Sequence, residues 1–162
     1  MPEDLSRHSL QFTVNGLERR LVVTADERLI DVLRNRLGLT SVKEGCGTGD
    51  CGSCVVEADG LTVNSCLMLA MQARGKRVLT LEGLVQDERL HPLQDAFASF
   101  GATSCGFCTP GMIITAKNLL DRKRKPTERE IREALRGNLC RCTGYMKIVE
   151  AVKAASKAGG HR

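Results

Sequence analysis

The sequence predicts an α+β protein in which a small sheet domain precedes a helical domain. In the first half, hydrophobic and polar residues alternate and two-residue turn signals recur, which is typical of hairpins. After residue 90 the hydrophobic residues recur at helical spacing instead. The eight cysteines divide evenly, with four in each part. We therefore place two domains at residues 1–84 and 85–162.

Two hairpins are predicted in the first domain. Hydrophobic residues alternate with polar ones over residues 10–14 and again over residues 21–23, and Asn15-Gly16 between them is a strong two-residue turn signal. A second pair of short hydrophobic runs, within residues 55–63, flanks Asp59-Gly60. Each hairpin should therefore turn at its glycine-containing dipeptide.

One helix and one further strand complete the first domain. Gly38 can end the helix, which is predicted from hydrophobic residues at helical spacing, namely Leu29, Ile30, Leu33 and Leu37. Residues 78–81 are predicted to form a closing strand. Two hairpins around one helix form a small α+β domain of the β-grasp kind.

The second domain is predicted to be a four-helix bundle. Pro92 and Pro110 each suit the first turn of a helix. Thr127 with Glu130 makes a capping box, and Gly137 supplies a C-terminal stop. The hydrophobic stripes of the four helices are Leu93, Ala96, Phe97 and Phe100; Ile113, Ala116, Leu119 and Leu120; Ile131, Ala134 and Leu135; and Ile148, Val149, Val152 and Ala155.

The first cysteine group has the spacing C-x4-C-x2-C followed by one distant cysteine, and its members are Cys46, Cys51, Cys54 and Cys66. This spacing is typical of the loop that surrounds a plant-type [2Fe-2S] cluster. Interleaved glycines would let the backbone approach such a cluster and turn its N–H groups toward sulfur. We therefore assign a cofactor-binding role to Gly45, Gly47, Gly49 and Gly52.

The second group consists of two close pairs far apart in the sequence, Cys105 with Cys108 and Cys140 with Cys142. Both pairs are predicted to lie in loops just before helices, whose N-terminal N–H groups favour an anionic cluster. Structural zinc is also held by four cysteines in such pairs. From spacing alone, a second [2Fe-2S] cluster and a zinc site both remain open for this group.

Composition argues against several other classes of function. The chain has 162 residues and a net charge of +5, most of which two thiolate-bound clusters would cancel. The basic run at residues 122–125 has no aromatic residues beside it, so nucleic acid is not expected as a partner. The N-terminus lacks a signal-peptide pattern and no hydrophobic run could span a membrane, so we expect a cytoplasmic protein. No histidine lies within a cysteine motif, and we interpret all three as surface or terminal residues: His8, His91 and His161.

Four segments carry a close resemblance to a known family. They are residues 42–54, 63–66, 105–112 and 137–145, and together they include all eight cysteines. The chain resembles, from about residue 9 to residue 157, the small iron-sulfur subunit of molybdenum hydroxylases, the xanthine oxidase family. The resemblance implies a β-grasp ferredoxin domain followed by a four-helix bundle, each holding a [2Fe-2S] cluster.

The resemblance also implies partners that the chain itself does not contain. These are a large subunit with a molybdopterin cofactor near the second cluster and a medium subunit with FAD nearer the first, arranged as a dimer of heterotrimers. Electrons would pass from molybdenum to the second cluster, then to the first, then to flavin. The family usually has Gln before the second C-x2-C, where it contacts the pterin. This sequence has Ser104 there, which puts that contact in question.

We therefore expect a non-catalytic electron-transfer subunit of a molybdenum-dependent oxidoreductase. Two other functions are compatible with the cysteine pattern. The chain could be a free-standing two-cluster ferredoxin that serves several partners, or an interaction module stabilised by zinc. The first would be a monomer without partners, and the second would be colourless.

Overall fold

The first half of the chain forms a five-stranded sheet. The computed structural model describes residues 7–85 and 87–158. Within them the strands are β1 (Arg7–Val14), β2 (Leu17–Thr24), β3 (Val55–Ala58), β4 (Leu61–Asn64) and β5 (Arg77–Leu79). Their order across the sheet is β2-β1-β5-β3-β4, with β1 and β5 parallel and the other neighbours antiparallel.

Both predicted hairpins are confirmed, with their turns at the predicted dipeptides. Asn15 and Gly16 have φ angles of 51° and 80°, and Asp59 and Gly60 have φ angles of 49° and 81°. Two consecutive residues in the left-handed region match the right-handed twist of the flanking strands. Asn, Asp and Gly are the residues that adopt this conformation at least cost, which is why the sequence signal was reliable.

The connection between the hairpins is helical but departs from the prediction. It begins as α1 (Leu29–Asp31) and widens at once into a π-helical turn (Val32–Arg36), and Gly38 follows with φ 70°. The predicted closing strand ends at Leu79 rather than Leu81. A 3-10 turn (Leu81–Leu84) begins at Leu81, where the strand was predicted to end.

Helices dominate the second half. They are α2 (Pro92–Ser99), α3 (Thr109–Arg122), α4 (Glu128–Ala134) and α5 (Met146–Ala158). Helix α2 packs against α3 and α5, and α4 packs against the same two helices. The capping box at Thr127 and Glu130 is confirmed, as are the two prolines in first turns. The prediction that Phe100 belongs to the hydrophobic stripe of α2 is wrong. Phe100 is 42% exposed because α2 ends at Ser99.

His91 also departs from the prediction that it lies at the surface. It is 7% exposed and forms the N-cap of α2, where its Nδ1 accepts a hydrogen bond from the Leu93 N–H at 3.2 Å. The Gln94 side chain accepts a bond from the His91 backbone N–H at 2.9 Å, which completes a capping box. His8 is partly buried on β1, and His161 lies outside the described residues.

Each half has its own hydrophobic core, and the two halves touch. The sheet core includes Cys54 and Cys66, whereas Cys108 and Cys140 lie at the margin of the helical core. Helix α3 packs against β3 and β4. None of the helices in residues 7–85 and 87–158 is long and apolar enough to cross a membrane.

Candidate metal centres

Two cysteines of the first group are fixed within the sheet core. Cys54 directly precedes β3 and is 1% exposed, and Cys66 follows the end of β4 and is 3% exposed. The Sγ atoms of the pair lie 3.3 Å apart. Burial is the main cause that raises the pKa of the Cys54 thiol to about 11.

The other two cysteines of this group lie in the loop between the π-helical turn and β3. Cys46 is exposed and Cys51 is partly buried. The backbone N–H groups of Thr48 and Cys51 each point at Cys46 Sγ, with an N–S distance of 3.4 Å. Hydrogen bonds from Thr48 first, and then from Cys51, lower the pKa of Cys46 to about 6. The loop is therefore built to stabilise a thiolate.

The four glycines of this loop have two different physical roles. Gly47, Gly49 and Gly52 have φ angles of 69°, 86° and 67°, which residues with a side chain rarely adopt. Gly45 has an ordinary φ, but a Cβ there would lie only 2.8 Å from Cys51 Sγ. Gly45 is thus required for close approach to sulfur. Contact between these four glycines and a cofactor remains a prediction.

An ion-pair cluster that sequence analysis missed supports the start of the loop. Arg28 donates hydrogen bonds to Glu44 at 2.6 and 3.1 Å and to Asp31 at 2.8 and 3.1 Å. This paired geometry fixes Glu44, two residues before Cys46, against the start of α1. Only the fold brings residues 28 and 44 together, so no local signal could have revealed the pair.

The second group lies at the ends of helices, as predicted. Cys108 is the N-cap residue of α3. Cys105 and Cys142 are exposed, with their Sγ atoms 3.7 Å apart. The Cys140 N–H donates to the Tyr145 hydroxyl at 2.9 Å, and that hydroxyl donates to the Asn138 carbonyl at 3.2 Å. Tyr145 thereby holds the segment that carries Cys140 just before α5 begins.

The thiols of the two inner cysteines in this group are shifted in opposite directions. Burial, followed by the hydrogen bond to Cys140, raises the pKa of Cys108 to about 12. Burial also opposes ionisation of Cys140, but hydrogen bonds from Thr143 and from the Cys142 backbone outweigh it and lower the pKa. Cys140 Sγ and the Thr143 hydroxyl lie 3.2 Å apart.

The sulfurs come together as pairs. Cys54 with Cys66, Cys105 with Cys142, and Cys108 with Cys140 are neighbours. Across residues 7–85 and 87–158, no three side chains of His, Cys, Asp or Glu form a group that could bind a single metal ion. A [2Fe-2S] cluster binds each of its two irons through two thiolates. Paired sulfurs and N–H groups aimed at sulfur therefore fit such a cluster.

The two sites meet at a contact that the sequence did not predict. The Leu139 N–H donates to the Cys51 carbonyl at 2.9 Å, and the Asn138 side chain donates to the Gly52 carbonyl at 3.1 Å. A Cβ at Gly111 would lie 2.3 Å from that same carbonyl oxygen. The backbone beside Cys51 thus lies directly against the backbone beside Cys140.

Comparison with known proteins agrees with these two sites. Residues 12–81 match the 2Fe-2S iron-sulfur cluster binding domain family, and residues 80–153 match the [2Fe-2S] binding domain family. The chain is 49% identical to the nicotinate dehydrogenase small FeS subunit of Eubacterium barkeri, over 93% of this chain and 96% of that one. It is 47% identical to the xanthine dehydrogenase iron-sulfur-binding subunit of Escherichia coli O157:H7, over 89% and 91%.

The fold matches a solved structure of the same kind. Quinoline 2-oxidoreductase from Pseudomonas putida 86 contains a chain with a TM-score of 0.91 and 44% identity, over 94% of this chain and 96% of that one. The chain belongs to the small iron-sulfur subunits of the xanthine oxidase family. Its function is electron transfer within a multi-subunit oxidoreductase, and it contains two 2Fe-2S binding domains.

The surface of this iron-sulfur subunit exposes several apolar side chains beside the cysteines. Phe107, between Cys105 and Cys108, is exposed, and its ring also lies near Gly45 of the first loop. Leu139 beside Cys140 and Leu67 beside Cys66 are exposed as well. Ser104 is exposed directly before Cys105. Both sites therefore have apolar side chains available for a partner.

Proposed function

We propose that the chain carries electrons from a molybdopterin centre on a large partner subunit to FAD on a medium partner subunit. One observation supports this most strongly. The two cysteine groups are joined by the hydrogen bond from the Leu139 N–H to the Cys51 carbonyl, yet each group keeps cysteines at the surface, with Cys46 exposed in the first and Cys105 and Cys142 in the second. A chain that connects two redox partners needs this arrangement.

Each half would hold one cluster through four thiolates. The first set of ligands is Cys46, Cys51, Cys54 and Cys66, and the second is Cys105, Cys108, Cys140 and Cys142. A [2Fe-2S] cluster exchanges one electron at a time. Hydrogen bonds to its sulfurs and its exposure to water set its reduction potential. The domains proposed are a β-grasp ferredoxin domain at residues 1–84 and a four-helix bundle at residues 85–162.

Exposed apolar side chains beside each site suit different partners. Phe107 and Leu139, which adjoin the second set of cysteines, would lie against the large subunit. Leu67 and Leu69, which follow Cys66, would lie toward the medium subunit. The assembly proposed is a cytoplasmic dimer of heterotrimers.

Ser104 would lie at the boundary with the pterin. Its side chain is exposed and directly precedes Cys105. Serine is shorter than the glutamine that the family usually has at this position. We propose that Ser104 reaches the pterin through a bridging water, because a hydroxyl can both donate and accept a hydrogen bond.

Metal analysis of the protein purified from its own host tests the proposal. We expect a red-brown complex with about four iron atoms and four acid-labile sulfides per chain, two of each for every [2Fe-2S] cluster. We also expect molybdenum and FAD on subunits that copurify. Stoichiometric zinc in place of iron would support the interaction module. A monomer with iron but without partners would support the free ferredoxin.

A further inference from the structure

Asn138 and Asn118 make the same kind of bond between the two halves of the chain, at different places. Both side chains are 3% exposed. Asn138 donates its side-chain N–H to the Gly52 carbonyl at 3.1 Å, and Asn118 donates to the Gly60 carbonyl at 2.7 Å. Gly52 directly follows Cys51, whereas Gly60 lies in the turn between β3 and β4. Only the first of these bonds lies at the cysteines.

The two asparagines also differ in their distance from the cysteines of the second group. Asn138 is two residues before Cys140. Asn118 lies ten residues after Cys108 on α3, which places it about 15 Å farther along the helix axis at 1.5 Å per residue. Asn118 therefore joins the two halves away from the cysteines.

The backbone at Gly52, whose carbonyl accepts the Asn138 bond, is packed closely on both sides. A Cβ at Gly52 would lie 2.2 Å from the Gly137 carbonyl oxygen, and one at Gly111 would lie 2.3 Å from the Gly52 carbonyl oxygen. The Leu139 N–H bond to the Cys51 carbonyl lies in the same contact. Two hydrogen bonds therefore join these loops, one from the Leu139 backbone and one from the buried Asn138 side chain.

We propose that Asn138 is a positioning residue that holds the Cys51 loop against the Cys140 loop and so fixes the separation of the two clusters. This inference rests on the proposed function, since it concerns clusters held by both cysteine groups. Electron exchange and magnetic interaction between two clusters both depend steeply on their separation. Loss of the Asn138 bond should therefore change their coupling as well as the stability of the chain.

Asn138→Ala tests the proposal, with Asn118→Ala as the matched control. Both variants remove a buried amide that bonds to a carbonyl of the other half, and Asn118→Ala also removes a bond to the Glu57 carboxylate at 3.3 Å. In the intact complex with both clusters reduced, we expect the splitting of the paramagnetic resonance signals caused by cluster–cluster interaction to decrease in Asn138→Ala and to stay as in wild type in Asn118→Ala. Hydrogen exchange of the segment 137–142 should become faster only in Asn138→Ala.

A second pair of variants tests the same separation by steric means. Gly111→Ala places a methyl group against the Gly52 carbonyl, although alanine suits the first turn of α3 better than glycine does. Gly137→Ala meets nothing within 4 Å and is the control. We expect the splitting to change in Gly111→Ala and to stay unchanged in Gly137→Ala. If Asn138→Ala does not assemble, the Gly111→Ala and Gly137→Ala pair decides whether the contact between the two loops sets the separation of the clusters.

Iron and sulfide contents separate the possible outcomes. Full cluster content with unchanged splitting in Asn138→Ala, or in Gly111→Ala if the former does not assemble, would overturn this inference and leave the proposed function intact. Zinc in the wild-type chain would overturn both. Equal loss of splitting in Asn118→Ala would show that the whole contact between the halves sets the separation, which also contradicts a specific role for Asn138.

Discussion

The two cysteine sites are anchored in different ways. In the first site, Cys54 and Cys66 belong to the sheet core, and the rest of the site is a glycine-rich loop that follows a π-helical turn. In the second site, Cys108 and Cys140 lie only at the margin of the helical core, and both cysteine pairs lie just before the starts of helices α3 and α5. The first site is fixed by burial of two cysteines, and the second by the packing of its helices.

One chain can keep two similar clusters distinct by giving them different surroundings. The loop at Cys46 aims two backbone N–H groups at one sulfur, which is a means of raising the reduction potential. At Cys140, a threonine hydroxyl lies near the sulfur and a tyrosine hydroxyl binds the backbone. We expect the potentials of the two clusters to differ for this reason. The following predictions test how far each site depends on its own surroundings.

The largest effect is expected from Cys108→Ser. This change removes a proposed ligand at the N-cap of α3, beside the helical core, so the second cluster should be lost together with some of the packing around it. We expect iron content to fall by about half, since each chain holds two [2Fe-2S] clusters, and the large subunit to bind less tightly. Iron analysis and gel filtration of the complex measure both effects. Undiminished iron with an unchanged absorption spectrum would remove Cys108 from the ligand set, because a serine oxygen bound to iron in its place would change that spectrum.

A moderate effect, confined to the first site, is expected from Gly45→Ala. The new methyl group would lie 2.8 Å from Cys51 Sγ, so the loop must shift. Overpacking of this kind costs about 1–3 kcal/mol of unfolding free energy. The midpoint of reductive titration should change for the first cluster alone. Gly137→Ala is the control, and we expect it to stay within about 1 kcal/mol of wild type.

The smallest effect concerns the cap of α4 and serves as a reference far from either cluster. Hydrogen bonds from Lys123 first, and then from the Thr127 backbone and side chain, lower the pKa of Glu130 to about 2. Because the folded value is below the ordinary one of about 4.3, the stabilisation is fully present above that value. It is lost as the pH falls toward about 2.

The Glu130→Gln variant tests whether the Glu130 carboxylate stabilises the cap of α4. The glutamine variant has no carboxylate to titrate, so the difference in unfolding free energy between it and wild type should shrink only below the ordinary glutamate pKa. Denaturant unfolding of the metal-free chain at several pH values determines that difference. A difference that is constant throughout the acid range would show that the carboxylate is not stabilised.

Local patterns predicted much of this structure. The turns at Asn15 and Asp59 require left-handed backbone that few residues adopt, and the cap at Thr127 depends on residues three apart, so short segments encode them. The π-helical turn could not be predicted, because the hydrophobic spacing at Leu33 and Leu37 suits an α-helix equally well. Phe100 and His91 show the same limit, since their burial depends on where α2 begins and ends.

The contacts that relate the two sites could not be predicted at all. Gly52 was interpreted as part of the first cluster loop, but it is also packed against Gly137 and Asn138 of the other half. Arg28 and Glu44 likewise meet only in the folded chain. Cysteine spacing indicated which residues belong together within each group. The relation between the groups depends on tertiary packing.

We propose that both sites lie on one route for electrons, and the Cys51→Ser variant provides the test. Cys51 is partly buried in a loop and lies outside both cores, so the complex and its molybdenum content should survive the change. Stopped-flow reduction by substrate, followed at the flavin absorption band, is the measurement. We expect flavin reduction to collapse while molybdenum is still reduced. Flavin reduction at the wild-type rate would show that the first site is not on the route.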